Sequence, residues 1–129
     1  MSKEFVFCEI LRQMNPSPPH FSINPEDFSW ESFEVPEGYE KPSKEEYETK
    51  FAELYALEPL RILRIERDLR LLKCDYIFVA DYITTLSEDK LNEWRAYRQA
   101  LRDITNNTQP QLDETGKILT GVEWPSPPA

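Results

Sequence analysis

The chain has 129 residues and a mass of 15.3 kDa, which is the usual size of one compact domain. It carries 24 acidic against 15 basic side chains, a net charge of −9, so a phosphate-binding surface for nucleic acid is not expected. No apolar run approaches the roughly 18 residues that a membrane-spanning helix needs. The first residues lack the basic lead and the apolar stretch of a secretory signal. The composition therefore favours a protein of the cytoplasm that binds neither nucleic acid nor membrane.

Residues that usually carry catalysis or bind metals are few and scattered. The two cysteines and the single histidine show no metal-ligand spacing. Gly116 and Gly121 have the spacing of the glycines in a phosphate-binding loop. Val122 and Glu123, however, stand where that loop needs Lys and then Ser or Thr. We therefore predict no enzyme activity, no cofactor and no metal site, and favour a binding or assembly protein.

The first region, residues 1–42, is predicted to be a mixture of helix and strand. A short helix is indicated by one apolar face made of Phe7, Ile10, Leu11 and Met14. A strand through residues 5–7 is the alternative. Further along, residues 20–23 and 28–30 flank the turn residues 24–27, which predicts a small β-hairpin.

Large aromatic rings on this hairpin and just after it are predicted to bind a partner. The segment is interrupted by prolines and offers few elements that could bury the rings, and an exposed aromatic patch is typical of a binding surface. The candidate partner-binding residues are Phe21, Phe28, Trp30 and Phe33. Residues 1–58 hold 13 acidic and 5 basic side chains, a net charge of −8, whereas residues 59–129 hold 11 and 10, a net charge of −1. The predicted binding region is thus the acidic half of the chain.

The second region, residues 43–105, is predicted to be helical and to serve assembly. A capping box over residues 43–46 begins one helix, Pro59 kinks it or begins the next, and Ser87 caps the last. Residues 60–73 form a helix that is apolar on two sides, which needs one cover from its own chain and one from another subunit. The candidate oligomerisation or core residues are Ile62, Ile65, Leu69, Leu72, Trp94, Tyr97 and Leu101.

The third region, residues 106–129, is predicted to form a loose turn or short hairpin and then an extended tail rich in proline. The predicted fold class is α+β, with a small N-terminal helix and β-hairpin region, a helical C-terminal half and that tail. Two arginines of the last helix are expected to form ion pairs rather than bind an anion. They are Arg98 and Arg102, with acids such as Asp75, Asp81 or Asp103.

Four segments together resemble the tail-fibre assembly chaperones of tailed bacteriophages, over most of residues 35–128. They are Val35-Pro36-Glu37-Gly38-Tyr39, Arg64-x-x-Arg67-x-x-x-Leu71-Leu72-x-x-x-Tyr76, Glu93-Trp94-x-x-Tyr97-Arg98-Gln99-x-Leu101-Arg102-Asp103-Ile104 and Trp124-Pro125-x-x-Pro128. The resemblance implies a phage-encoded chaperone that binds the distal part of a tail-fibre protein and assists its folding and trimerisation. It also implies that the front half binds the fibre and the helical half holds subunits together.

The expected partner is therefore a phage tail-fibre protein, bound in the host cytoplasm during phage assembly. A homotrimer is the expected oligomer in the complex, because it would match the symmetry of the fibre. A small structural protein at the baseplate or fibre junction is the alternative. Presence in purified particles distinguishes the two, and the sequence leaves open whether the protein stays in the mature virion.

Overall fold

The computed structural model describes residues 2–129, and their backbone is mostly helical. The helices are α1 (Ser2–Gln13), α2 (Lys44–Ala56), α3 (Glu58–Lys73), α4 (Ala80–Ile83) and α5 (Glu88–Asn107), with a 3-10 helix at Asp75–Phe78. Strand β1 (Gln111–Leu112) pairs antiparallel with β2 (Leu119–Thr120). Helices with a small antiparallel sheet agree with the predicted class. None of the helices within the described residues has the length and apolar composition that crossing a bilayer requires.

The chain divides into two compact units. Unit 1 comprises the chain up to residue 58 together with residues 114–117, and unit 2 comprises residues 59–113 and 118–129. This division cuts across the three predicted regions. Helix α2 groups with the front of the chain, and the turn between β1 and β2 groups with unit 1.

The helix boundaries follow from the local signals in the sequence. The Ser43 hydroxyl accepts the N–H of Glu46 at 3.1 Å, and the Ser87 hydroxyl accepts the N–H of Lys90 at 3.2 Å. Both predicted N-caps are thereby confirmed. Pro59 lies in the first turn of α3, where a missing N–H leaves no hydrogen bond unmade. It therefore begins the new helix instead of kinking α2.

Unit 1 has an aromatic core between α1 and α2. Its buried residues are Val6, Phe7, Ile10, Phe28, Phe33 and Tyr47. The Phe7 ring lies 5.1 Å from the Phe33 ring and 5.7 Å from the Phe28 ring, within the range of favourable aromatic pairs. The predicted first helix is confirmed, and the alternative strand through residues 5–7 is wrong.

The predicted β-hairpin of the first region is wrong. Ser22 pairs instead with Glu34 through a single antiparallel bridge, and residues 28–30 form no strand. The carbonyl of Asn24 accepts the Phe28 N–H at 2.8 Å, and the Asn24 side chain accepts a second N–H of the same turn. The chain therefore curls back on itself and buries Phe28 where the sequence predicted an extended second strand.

The short hairpin predicted near the C-terminus is confirmed by the pairing of β1 with β2. Its turn contributes Gly116, which is buried and has a φ of 70°, a conformation that favours glycine. A Cβ atom at this position would lie 2.9 Å from the Tyr55 hydroxyl oxygen of α2. Glycine thus allows the turn to approach α2 closely within unit 1.

Unit 2 is built around α3 and α5. Its buried residues are Leu63, Cys74, Ile77, Leu101 and Ile104. Residues 122–129 contain no helix or strand, and the extended form of this tail stays a prediction.

Candidate functional site

The four rings predicted to bind a partner lie in different environments. Phe33 is fully buried and Phe28 is only 9% exposed, because α1 and α2 cover them. The expectation that this segment could not bury large rings is therefore wrong for these two residues. Phe21 is 47% exposed and Trp30 is half-buried. Partner binding stays a prediction, and only Phe21 and Trp30 have ring surface available for it.

Trp30 is held by the residues that lead into α2. Its indole N–H donates to the Pro42 carbonyl at 2.8 Å. The Lys41 ammonium donates to the Trp30 carbonyl at 2.7 Å and lies 3.7 Å from the centre of the Trp30 ring. These contacts fix the ring in one orientation, with a cation on one face.

The loop that carries these rings is stabilised by Tyr47 of α2. The buried Tyr47 hydroxyl donates to the Phe28 carbonyl at 2.6 Å. Burial, with a smaller contribution from Asp27, raises the pKa of Tyr47 to about 12. Phe28 has a φ of 51°, which is uncommon for a bulky side chain and is kept only where the surroundings enforce it. The hydrogen bond from Tyr47 helps to hold Phe28 in this conformation.

An open, largely apolar pocket of about 550 Å³ lies beside Phe21. Its lining includes Glu4, Phe7, Cys8, Phe21, Ile23 and Phe28. The Phe21 ring meets the edge of the Phe7 ring at 5.2 Å. The pocket is thus formed between α1 and the segment that begins at Phe21.

The segment beside this pocket has an unpaired backbone edge. Ser22 and Glu34 exchange both N–H···O bonds, at 3.0 and 2.8 Å. In extended chain the N–H and C=O groups of the flanking residues, Phe21 and Ile23, point to the opposite side. Within residues 2–129 these four groups have no hydrogen-bond partner. They form a short edge that another strand could pair with.

Helix α3 exposes one of its two apolar sides. Ile65, Leu69 and Leu72 are 47%, 52% and 66% exposed, whereas Leu63 on the opposite side is fully buried. Ile62 is half-buried. One side is therefore covered by the chain itself, and the other side has no cover within residues 2–129. We call the surface of Ile65, Leu69 and Leu72 the α3 face.

Further exposed apolar residues follow α3 in the sequence. Tyr76 of the 3-10 helix and Tyr82 of α4 meet edge to face at 5.2 Å, and both rings are exposed. Val79 between them is also exposed. Unit 2 thus presents aliphatic and aromatic surface along its first half.

Arg98 of α5 joins this helix to the end of α3. One guanidinium nitrogen donates to the Leu71 carbonyl at 3.1 Å, to the Cys74 sulfur at 3.2 Å and to the Asp75 carboxylate at 2.8 Å. Burial would lower the pKa of Arg98, but the hydrogen bonds to Asp75 and Cys74 outweigh it and leave the pKa raised. The predicted ion pair between Arg98 and Asp75 is confirmed.

The remaining predicted residues of α5 lie on its inner stripe. Leu101 is fully buried, and Trp94 and Tyr97 are half-buried with their rings edge to face at 5.8 Å. Sequence reasoning missed the contact of Arg70 with Trp124, whose ring centre lies 3.6 Å from the guanidinium carbon. A lone tryptophan in a proline-rich tail was the available signal, since such a ring usually has a docking surface.

These surfaces define the class of the protein. An exposed apolar helix face, an open aromatic pocket and an unpaired backbone edge are features of proteins that bind other polypeptides. Within residues 2–129, no three or more His, Cys, Asp or Glu side chains are grouped so that they could hold a metal ion.

Comparison with known proteins gives the family. The model of the phage tail assembly chaperone protein family matches residues 60–129, which is more than half of the chain. The chain belongs to this family, which confirms the resemblance to phage tail assembly chaperones. No curated protein and no solved structure matches the chain. The family match covers α3, α5 and the tail, and leaves α1, α2 and the pocket beside Phe21 outside it.

Proposed function

We propose that this protein binds the distal part of a phage tail-fibre protein and assists its folding and trimerisation in the host cytoplasm, without enzymatic chemistry. The observation that carries the proposal is the family match over residues 60–129. Chains destined for an intertwined trimer expose apolar surface and unpaired strand edges before they come together. A protein that covers these features suppresses aggregation until the trimer forms.

The two compact units have separate tasks in this proposal. Unit 1 binds the fibre protein, since it holds the open pocket and the unpaired edge. Unit 2 holds copies of the chaperone together through the α3 face. The family match lies on the part of the chain that carries the α3 face, which is consistent with a shared assembly role and a variable binding region.

The charge distribution supports this division. Residues 1–58 have a net charge of −8, so two copies that met through this part would repel each other. Residues 59–129 have a net charge of −1, so the α3 faces of several copies can approach without that penalty. A trimer is the proposed assembly in the complex, because it gives each fibre chain one equivalent chaperone copy.

Co-expression with the tail-fibre protein of the same phage tests the proposal. We expect the chaperone to raise the yield of soluble fibre trimer, and light scattering of the purified complex to give three chaperone copies for three fibre chains. A double variant, Leu69→Lys with Leu72→Lys, should abolish self-association. Ile118→Lys, which changes an equally exposed aliphatic residue outside α3, is the matched control.

Two results would contradict the proposal. The first is an unchanged yield of soluble fibre trimer when the chaperone is omitted. The second is a complex with one chaperone copy for three fibre chains, which would refute the trimer. Retention of the protein in purified virions in stoichiometric amounts would favour a structural role at the baseplate or fibre junction.

A further inference from the structure

We propose that the unpaired edge at Phe21 and Ile23 receives an extended segment of the tail-fibre protein as an added β-strand. One apolar side chain of that segment enters the pocket beside Phe21, and basic side chains flank it. This inference rests on the proposed function and specifies the mode of binding and the chemistry of the bound segment.

The free backbone groups of Phe21 and Ile23 favour an extended partner. Because Ser22 is bonded to Glu34 on one side, Phe21 and Ile23 each offer one N–H and one C=O on the other side. An extended peptide satisfies all four groups, whereas a helix has no free backbone groups along its length. The bridge at Ser22 has only one residue pair, and a ribbon this short is marginal by itself. A third strand would therefore stabilise the segment as well as bind to it.

The pocket beside Phe21 favours an apolar side chain on the added strand. Side chains of the added strand alternate between its two faces, so every second residue faces the same way as Phe21 and Ile23. Those two side chains line the pocket together with Phe7 and Phe28. An aromatic or large aliphatic residue of the added strand can therefore contact several rings, edge to face, within a volume of about 550 Å³.

The acidic residues around the edge indicate which kind of segment binds there. Residues 13–40 hold six acidic side chains and no Lys or Arg, and Glu4 also lines the pocket. Lys or Arg beside the apolar residue of the bound segment would complement these acids. A second copy of this chain would bring the same acidic segment to the edge and be repelled. The occupant is therefore a basic, extended segment of the partner protein.

Hydrogen exchange on the co-purified complex of the full chain with the tail-fibre protein tests the proposal directly. We expect exchange at the Phe21 and Ile23 amides to slow by about tenfold or more in the complex. The Ser22 amide is already bonded, so its exchange should slow less than that of the two edge amides. The exposed thiol of Cys8, which lines the pocket, should be protected from alkylation in the same complex, while the buried Cys74 serves as the internal reference.

Synthetic peptides sharpen the test without altering the fold of the chain. Overlapping 15-residue peptides from the distal fibre region identify the segment that binds. Two versions of that peptide carry methyl groups on alternate backbone nitrogens. The version whose methylated nitrogens face the edge should not bind, and the other version should bind as well as the unmodified peptide. Glu34→Lys should weaken binding several-fold, whereas Glu88→Lys, an equal charge change in unit 2, should not.

Failure of this inference differs from failure of the proposed function. If the chaperone raises the yield of soluble fibre but the Phe21 and Ile23 amides exchange as fast in the complex as in the free chain, strand addition is refuted and the proposed function stands. If both methylated peptides lose binding, or if neither does, strand addition is also refuted. If the edge is protected by a fibre peptide but fibre yield does not depend on the chaperone, the proposed function fails and the binding mode stands.

Discussion

The two compact units differ in where they expose apolar surface. Unit 1 packs its rings around Phe7 and keeps Phe28 and Phe33 from water, although it is the acidic part of the chain. Unit 2 is close to neutral, yet its α3 face leaves three large aliphatic side chains exposed. The acidic unit exposes the Phe21 ring beside an open pocket, whereas the nearly neutral unit exposes a row of aliphatic side chains on one helix.

The largest expected effect comes from opening the closed core of unit 1. Phe33→Ala removes a fully buried ring that packs against Phe7 and Tyr47, and should cost about 3–5 kcal/mol. Leu69→Ala on the α3 face should cost less than about 1 kcal/mol, because the side chain is half exposed. Thermal unfolding followed by circular dichroism measures both. Equal losses of unfolding free energy in the two variants would show that the two units do not differ in this way.

A smaller effect is expected from the hydrogen bond that supports the loop of unit 1. Tyr47→Phe leaves the Phe28 carbonyl without its buried donor and should cost about 2 kcal/mol in chemical denaturation at neutral pH.

The same residue makes the stability of unit 1 depend on alkaline pH. The pKa of Tyr47 is about 12 in the folded chain, above its ordinary value of 10.0, so the folded state favours the protonated phenol. The stabilisation is complete below about pH 10 and is lost as the pH rises towards 12. The difference in unfolding free energy between wild type and Tyr47→Phe should therefore shrink over this interval. A difference that stays constant between pH 8 and 12 would contradict this assignment.

The smallest of these effects concerns the link between α3 and α5 in unit 2. Arg98→Met keeps the aliphatic stem but removes the donor shared by Leu71 and Asp75, and should cost about 1 kcal/mol, since Asp75 is half exposed to water. Arg95→Met, at an exposed position one turn away, is the control and should change the midpoint of denaturation little. A larger loss than in Tyr47→Phe would show that unit 2 depends on polar contacts more than unit 1 does.

Local signals made most of the helices predictable. Periodic apolar residues predicted α1 and α3, and the hydroxyls of Ser43 and Ser87 predicted the starts of α2 and α5. The predicted hairpin in the front half failed because Asn24 and Pro25 suit a curled loop as well as a hairpin turn. Only the packing of α1 against α2 decides between them, and that packing joins residues far apart in the sequence.

The candidate site was predictable in part for the same reason. Two apolar sides of α3 can be read from the sequence, but the exposure of Ile65, Leu69 and Leu72 depends on which side the rest of the chain covers. The ion pair of Arg98 with Asp75 followed from complementary charge, whereas the stacking of Arg70 on Trp124 joins α3 to the distant tail. The unpaired edge at Phe21 was not predicted, because the predicted hairpin paired residues 20–23 with residues 28–30.

The turn around Gly116 has a consequence for the order in which this protein is made. Unit 1 begins at α1, but residues 114–117, which also belong to it, are translated after nearly all of unit 2. A ribosome must therefore pass residue 117 before Tyr55 can meet the turn that approaches it. Unit 1 therefore stays incomplete until most of unit 2 has been made, and a chain whose translation stops before residue 117 lacks a piece of unit 1.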